Sequence, residues 1–254
     1  MPKITGRRLW SAAATATLAT IAAIGLSSGN APQASANSLP VSAEFVARAV
    51  APATAAAAPR TVSGKRTDLA NLSHPRVDRW VRTFTTQQRG SFATYLDRKD
   101  RYDDMILTKL ARRGMPSSLV YLPMIESGYN PRARSPVKAS GMWQFMTATA
   151  KRFGLKVNRR VDERVNPSRA TDAALTYLDY LYDRFGSWYL AAAAYNGGEG
   201  RVSKALKQVT GRTRGTDADF YRISHRLPRE TRDYVPKLIA AARIGNNPRR
   251  YGFD

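Results

Sequence analysis

The chain contains no cysteine, and its only two histidines, His74 and His225, are far apart in sequence. The first absence excludes disulfide scaffolds, thiol nucleophiles and thiolate metal sites. The second argues against a His-built zinc site or a Ser-His-Asp arrangement. Acids are also scarce: 19 Asp and Glu stand against 41 Lys and Arg in 254 residues, a formal charge of +22. Few stretches alternate with period two, so a sheet-rich fold is not expected. The chemistry is therefore expected to rest on carboxylates, with no metal and no cofactor. What is present, 43% apolar and 9% aromatic residues, suffices for one ordinary domain with tails.

The amino terminus reads as an export signal. Lys3, Arg7 and Arg8 precede an uncharged stretch from Leu9 to Leu26, and Ala34-Ser35-Ala36 supplies a small-x-small cleavage pattern. Residues 1–36 are expected to be a signal peptide, with an uncleaved membrane anchor as the alternative. Cleavage would leave +19 on 218 residues. A basic protein sent to the periplasm, cell wall or exterior meets anionic partners there, wall polymers among them. Residues 37–70, rich in Ala, Pro, Ser and Thr, read as a tether with little to bury.

Beyond the tether the apolar residues follow helical spacing. Val77, Trp80, Val81 and Phe84 form one stripe; Tyr102, Met105, Ile106 and Leu110 form another that stops at Gly114. Residues 71–113 are read as a helical extension and 114–254 as the main domain. Thr147 to Phe153 suits a short helix. Asn166-Pro167 opens a long one that runs to Phe185 and stops at Gly186. Further helical patterns cover Trp188–Ala194, Val202–Leu206 and Arg229–Ile244. The expected fold is mainly α, with roughly seven to nine short helices.

One acid stands apart. Between Asp104 and Asp162 lie 57 residues with eleven Lys or Arg and a single carboxylate, Glu126. It closes the apolar run Leu119 to Ile125, on the helical face of Leu119 and Leu122. Burial there raises its proton affinity, neighbouring cations lower it, and a protonated carboxyl could serve as a general acid. Taken alone, a helix-end glutamate paired with Arg132 or Arg134 is the commoner arrangement. Pro123 is expected to kink the helix that carries the acid. The Ser- and Gly-rich loop that follows, with Trp143, Gln144 and Met146, suits a sugar subsite, although core packing is the simpler reading for Trp143 and Met146 singly.

Five stretches in order carry a resemblance: Glu126-Ser127, Ser135-Pro136, Gly141 to Met146, Ala194 to Val202 and Leu227 to Pro236. Together they resemble lytic transglycosylases of the lysozyme-like fold (the SLT domain, glycoside hydrolase family 23), and the last stretch resembles the membrane-bound D-type branch. The resemblance covers about Tyr102 to Tyr251. It implies a goose-type helical domain with a cleft for peptidoglycan glycan strands and Glu126 as catalytic acid and then base. Ser135, Gln144 and Met146 would line the cleft around an N-acetyl sugar, Tyr195 and Asn196 would shape the reacting subsite, and Glu230 and Tyr234 would close it. Thr147 stands where many relatives have proline. Neither the lipobox cysteine nor the trailing wall-binding repeats of that branch is present, so lipid anchoring is not expected.

Most glycosidases need two carboxylates, and none of Asp162, Glu163, Glu199 or Glu230 is near Glu126 in sequence. The resemblance implies that the substrate's N-acetyl group supplies the second function and that a 1,6-anhydro product forms without water. The alternatives are a goose-type muramidase that uses water and a non-catalytic wall-binding module. Specific nucleic-acid binding is not expected, since no recognition element accompanies the charge. The protein is expected to be a monomer.

Overall fold

A computed structural model describes Leu69 and residues 73–253. The expected signal peptide and nearly all of the tether lie outside the described residues. Leu69, inside the stretch read as tether, is buried in the core.

Ten α-helices form among the described residues, joined by short 3-10 turns and three isolated β-bridges. They are α1 (Pro75–Thr85), α2 (Arg89–Lys99), α3 (Asp103–Arg113), α4 (Leu122–Ser127), α5 (Thr147–Arg152), α6 (Pro167–Phe185), α7 (Trp188–Gly197), α8 (Glu199–Thr210), α9 (Asp217–Ile223) and α10 (Arg229–Gly245). The mainly helical class is as expected. Two of the helices, α2 and α9, have no counterpart in the sequence reading. In α2 only Phe92 and Lys99 are buried, so there is no apolar stripe to read. The α9 helix has seven residues and is held by a capping box between Thr216 and Asp219.

The chain punctuates the long helices as its residues dictate. Asn166 caps α6 through its side chain, which accepts from the Arg169 amide at 3.0 Å, and Pro167 occupies the first turn where no amide partner is needed. Gly186, at φ 75, ends that helix in the left-handed conformation. The α7 helix is apolar on every side, with Tyr189 to Ala194 all buried. A helix of that kind belongs inside, and α6, α8, α9 and α10 all pack against it. Its alanines permit close approach. The α10 helix lies between α1, α7 and α4, and this packing brings residues from the two ends of the fold to one cleft.

Pro123 does not kink a helix. The apolar run divides into a 3-10 turn over Ser117–Tyr121 and then α4, and Pro123 sits in the first turn of α4, where its missing N–H costs nothing.

Candidate active site

Glu126 lies in the last turn of α4. Leu119 and Leu122, both fully buried, pin this segment to the core. Each contributes roughly 1.5–3 kcal/mol of burial, enough together to hold a carboxyl where it would not go alone. Gly128, at φ 57, ends the helix, and a Cβ there would lie 2.2 Å from the Tyr95 ring. The Ser127 hydroxyl donates to the Met142 carbonyl at 2.8 Å and accepts from the Asn130 amide at 3.2 Å. The acid's helix is thereby tied to the loop of residues 133–146.

That loop is held from beneath by Arg164, only 6% exposed. Its guanidinium forms a two-pronged pair with Asp162, at 2.8 Å on each side, and donates to the carbonyls of Lys138 and Phe145 at 3.0 Å. Such a fork fixes geometry as well as charge, and it holds the Asp162 carboxyl below the usual range. Gly141 crosses directly over the Arg164 backbone at φ 85. Gln144 adopts φ 48, a conformation rarely taken by a residue with a side chain, and its amide donates to the Gly141 carbonyl at 2.8 Å.

A cleft of about 640 Å³ opens between this loop, α7 and α10. Glu126, Ser135, Gln144, Met146, Tyr195, Asn196, Glu230 and Tyr234 all line it. The Tyr234 hydroxyl donates to Glu126 Oε1 at 2.5 Å. Tyr195 donates to the Trp143 carbonyl at 2.8 Å. Asn196 links the far side: its amide donates to Glu230 Oε1 at 3.2 Å and its carbonyl oxygen accepts from Thr231 at 2.9 Å. The Ser135 hydroxyl accepts from the Ala139 amide at 3.0 Å and so shapes the loop. Met146, 42% exposed, also lines the cleft.

The electrostatics of Glu126 follow from this setting. Burial pushes its carboxyl up to about 7, while the Tyr234 hydrogen bond and the Lys237 charge pull it down and Glu230 pushes it further up. Burial dominates because the acid has no ion pair among the described residues. Arg134 turns instead to Asp162, at 3.9 Å, so the alternative arrangement, a pair between Glu126 and this arginine, does not form. Burial and the facing Glu126 also hold the Tyr195 and Tyr234 hydroxyls well above their ordinary range, so both stay neutral. Replacing Tyr234 with Phe is expected to raise the proton affinity of Glu126 further, since the hydrogen bond that favours its charged form is lost. A carbon-13 titration of the carboxyl reads this directly, and an unmoved titration would remove the hydrogen bond from the account.

Trp143 is not a sugar platform. Its ring is fully buried and its indole N–H donates to Thr171 at 2.9 Å, so core packing is its role. The candidate second carboxylates also separate. Asp162 is taken by Arg164, Glu163 by the Lys156 amide at 2.7 Å and by Arg169, and Glu199 by Arg152 at 3.0 Å; only Glu230 reaches the cleft. Other residues that line the cleft were not anticipated, among them Tyr177, Arg201, Thr231 and Lys237. Arg201 and Thr231 lie inside the stretches already singled out, and Tyr177 follows Ala174 by one turn on α6. Lys237 follows Tyr234 by three residues, a spacing that places both on one face of α10.

Residues 105–217 match the transglycosylase SLT domain. This chain carries an SLT domain. The chain is also homologous to membrane-bound lytic murein transglycosylase D of Escherichia coli, with 42% identity over 156 residues, covering 61% of this chain and 34% of that protein. The soluble lytic murein transglycosylase of Salmonella typhimurium is 36% identical over 121 residues, 45% of this chain and 18% of its own length. Among solved structures, the 70 kDa soluble lytic transglycosylase of Escherichia coli aligns with a TM-score of 0.48 and 25% identity over 68% of this chain and 30% of that one. The chain thus spans about a third of the length of the first of these relatives. Glu126, Ser135, Gln144, Met146, Tyr195 and Asn196 fall within the matched range, whereas Glu230 and Tyr234 lie beyond it on α10. No helix among the described residues is long and apolar enough to cross a membrane.

Proposed function

We propose that this SLT-domain protein cleaves the β-1,4 bond between N-acetylmuramic acid and N-acetylglucosamine in peptidoglycan, with Glu126 as both acid and base. The observation that carries this reading is the state of Glu126: a carboxyl on the floor of a cleft, raised to about 7 by burial, bonded to a neutral phenol and free of ion pairs among the described residues. Near neutral pH such a group holds a proton in a large fraction of molecules and can give it up.

Glu126 donates that proton to the glycosidic oxygen as the bond from this oxygen to the muramic C1 breaks. The N-acetyl carbonyl oxygen of the same sugar bonds to C1 and takes the place of a protein nucleophile. Glu126, now a carboxylate, removes the proton of the C6 hydroxyl. The C6 oxygen attacks C1, displaces the acetamido oxygen and closes the 1,6-anhydro ring. The proton count balances and Glu126 ends as it began. Glu230 is the other carboxylate in the cleft, and its hydrogen bond from Asn196 supports a binding role rather than activation of water. Ser135, Gln144 and Met146 hold the sugar from the loop side, Tyr195 and Asn196 from α7, and Tyr234 from α10.

On this reading the chain is exported, released after Ala36 and active as a monomer on glycan strands, with its positive charge favouring anionic wall polymers. Mass spectrometry of digested sacculi tests it. The expected muropeptides are lighter by one water than those with a reducing end. Products with reducing ends would assign the cleft to a muramidase, and an undigested sacculus would leave a binding module.

A further inference from the structure

Lys237 brings an ammonium into a cleft whose central group is an acid. It projects from the same face of α10 as Tyr234, the residue bonded to Glu126. Its Nζ lies 4.6 Å from the centre of the Trp80 ring on α1, a cation–π seat that fixes the charge without neutralising it. Lys237 enters no ion pair among the described residues. Burial lowers its proton affinity, and the charges of three acids oppose that: Glu126 from α4, and Glu230 and Asp233 from α10. Two of them are engaged elsewhere. Asp233 accepts from Arg79 at 3.1 Å, and Glu230 accepts from Asn196 at 3.2 Å. The third, Glu126, has a neutral phenol as its partner.

We propose that Lys237 is a positioning residue for the acid: its ammonium, seated on Trp80, balances the negative charge that Glu126 acquires when it gives its proton to the leaving oxygen. The inference rests on the reading of Glu126 as the proton donor. A contact ion pair would keep Glu126 ionised and useless as an acid. An ammonium held back on an indole face stabilises the carboxylate once it forms and leaves the proton in place beforehand. The other groups facing Glu126 cannot do this. Tyr195 from α7 and Tyr234 stay neutral, and Glu230 repels the new charge.

The test compares the full-length protein with Lys237→Met, Lys237→Arg, Trp80→Leu and Glu126→Gln, following kcat and kcat/KM against pH on purified glycan strands. In Lys237→Met the descending limb of kcat/KM is expected to move to higher pH by roughly one unit, the low end of what a nearby opposite charge produces. Its kcat at the plateau is expected to fall about tenfold. Lys237→Arg restores both, and Trp80→Leu moves both in the same direction by less. A carbon-13 titration of Glu126 in the same variants gives the shift independently of turnover, and Lys237→Gln carries the same expectation should the methionine variant not fold. A lowered melting temperature with an unmoved limb and an unmoved titration would overturn the proposal, since a packing role alone does that. If Glu126→Gln is inactive while Lys237→Met keeps the wild-type profile, the role of Lys237 fails and that of Glu126 stands. If Glu126→Gln is active, the underlying reading fails.

Discussion

Replacing Glu126 with glutamine is expected to lower turnover on sacculi at least about a hundredfold, the lower end of what a positioned proton donor contributes. Glutamine keeps the volume and can still accept from the Tyr234 hydroxyl, so the cleft is expected to retain its shape and its affinity for glycan. The same substitution should stabilise the protein, with a definite dependence on pH. The folded carboxyl titrates near 7 against an ordinary 4.5. Stability associated with its protonated form is fully present below 4.5 and is lost as pH rises through about 7. Glutamine has no charge to bury, so the variant escapes that loss, at most on the order of 3 kcal/mol given that the cleft admits some solvent. Melting curves should therefore coincide near pH 4 and separate above pH 7, the variant melting higher. Near-normal turnover would remove Glu126 from the chemistry. Equal melting at pH 8 would show that the carboxyl is not held in a desolvated state.

Gly141→Ala is expected to have the largest effect on stability. A Cβ at this position would lie 1.9 Å from the Arg164 carbonyl oxygen, on a backbone at φ 85. Neither strain can be relieved by a side-chain rotation, because the obstacle is backbone held by the fork from Arg164 to Asp162. The cost should exceed about 3 kcal/mol, more than a left-handed conformation alone imposes, and lower the melting temperature by on the order of 10 °C. Gly211→Ala provides the comparison. It shares a positive φ, at 70, but a Cβ there meets nothing within 4 Å. Its cost should stay near 1 kcal/mol. If the two alanine variants melt together, the close approach of Gly141 to the Arg164 backbone carries no energetic cost. If they separate as expected, glycan cleavage should fall in Gly141→Ala alone, since the loop carrying Gln144 and Met146 must shift.

How much of this could be read from the chain varies with the kind of signal. Caps were legible because their chemistry is local: Asn166-Pro167 and Gly186 bound α6 as their side chains and φ angles require. The α2 helix was not, because Phe92 is its one buried apolar residue. Pro123 misled for a related reason. A proline in an apolar run looks internal until the run is seen to divide, and only the fold places the boundary at Leu122. The eight anticipated cleft residues lie in contiguous stretches, which made their convergence foreseeable. Trp143 and Met146 are three residues apart in one loop, yet the ring is buried and the thioether is open. The inward turn of the ring is fixed by Thr171 of α6, far along the chain. Lys237 had no sequence signal of its own, since a lysine one turn beyond a tyrosine reads like any solvent-facing cation.

The hydrogen bond between Tyr234 and Glu126 joins residues 108 positions apart. A nascent or partly unfolded chain therefore possesses the acid without the phenol, the ammonium or the desolvated floor that make it reactive. On the proposed reading, premature glycan cleavage is foreclosed by topology alone: the molecule acquires its cutting edge only when its last long helix docks, and denaturing it by even that one step should disarm it.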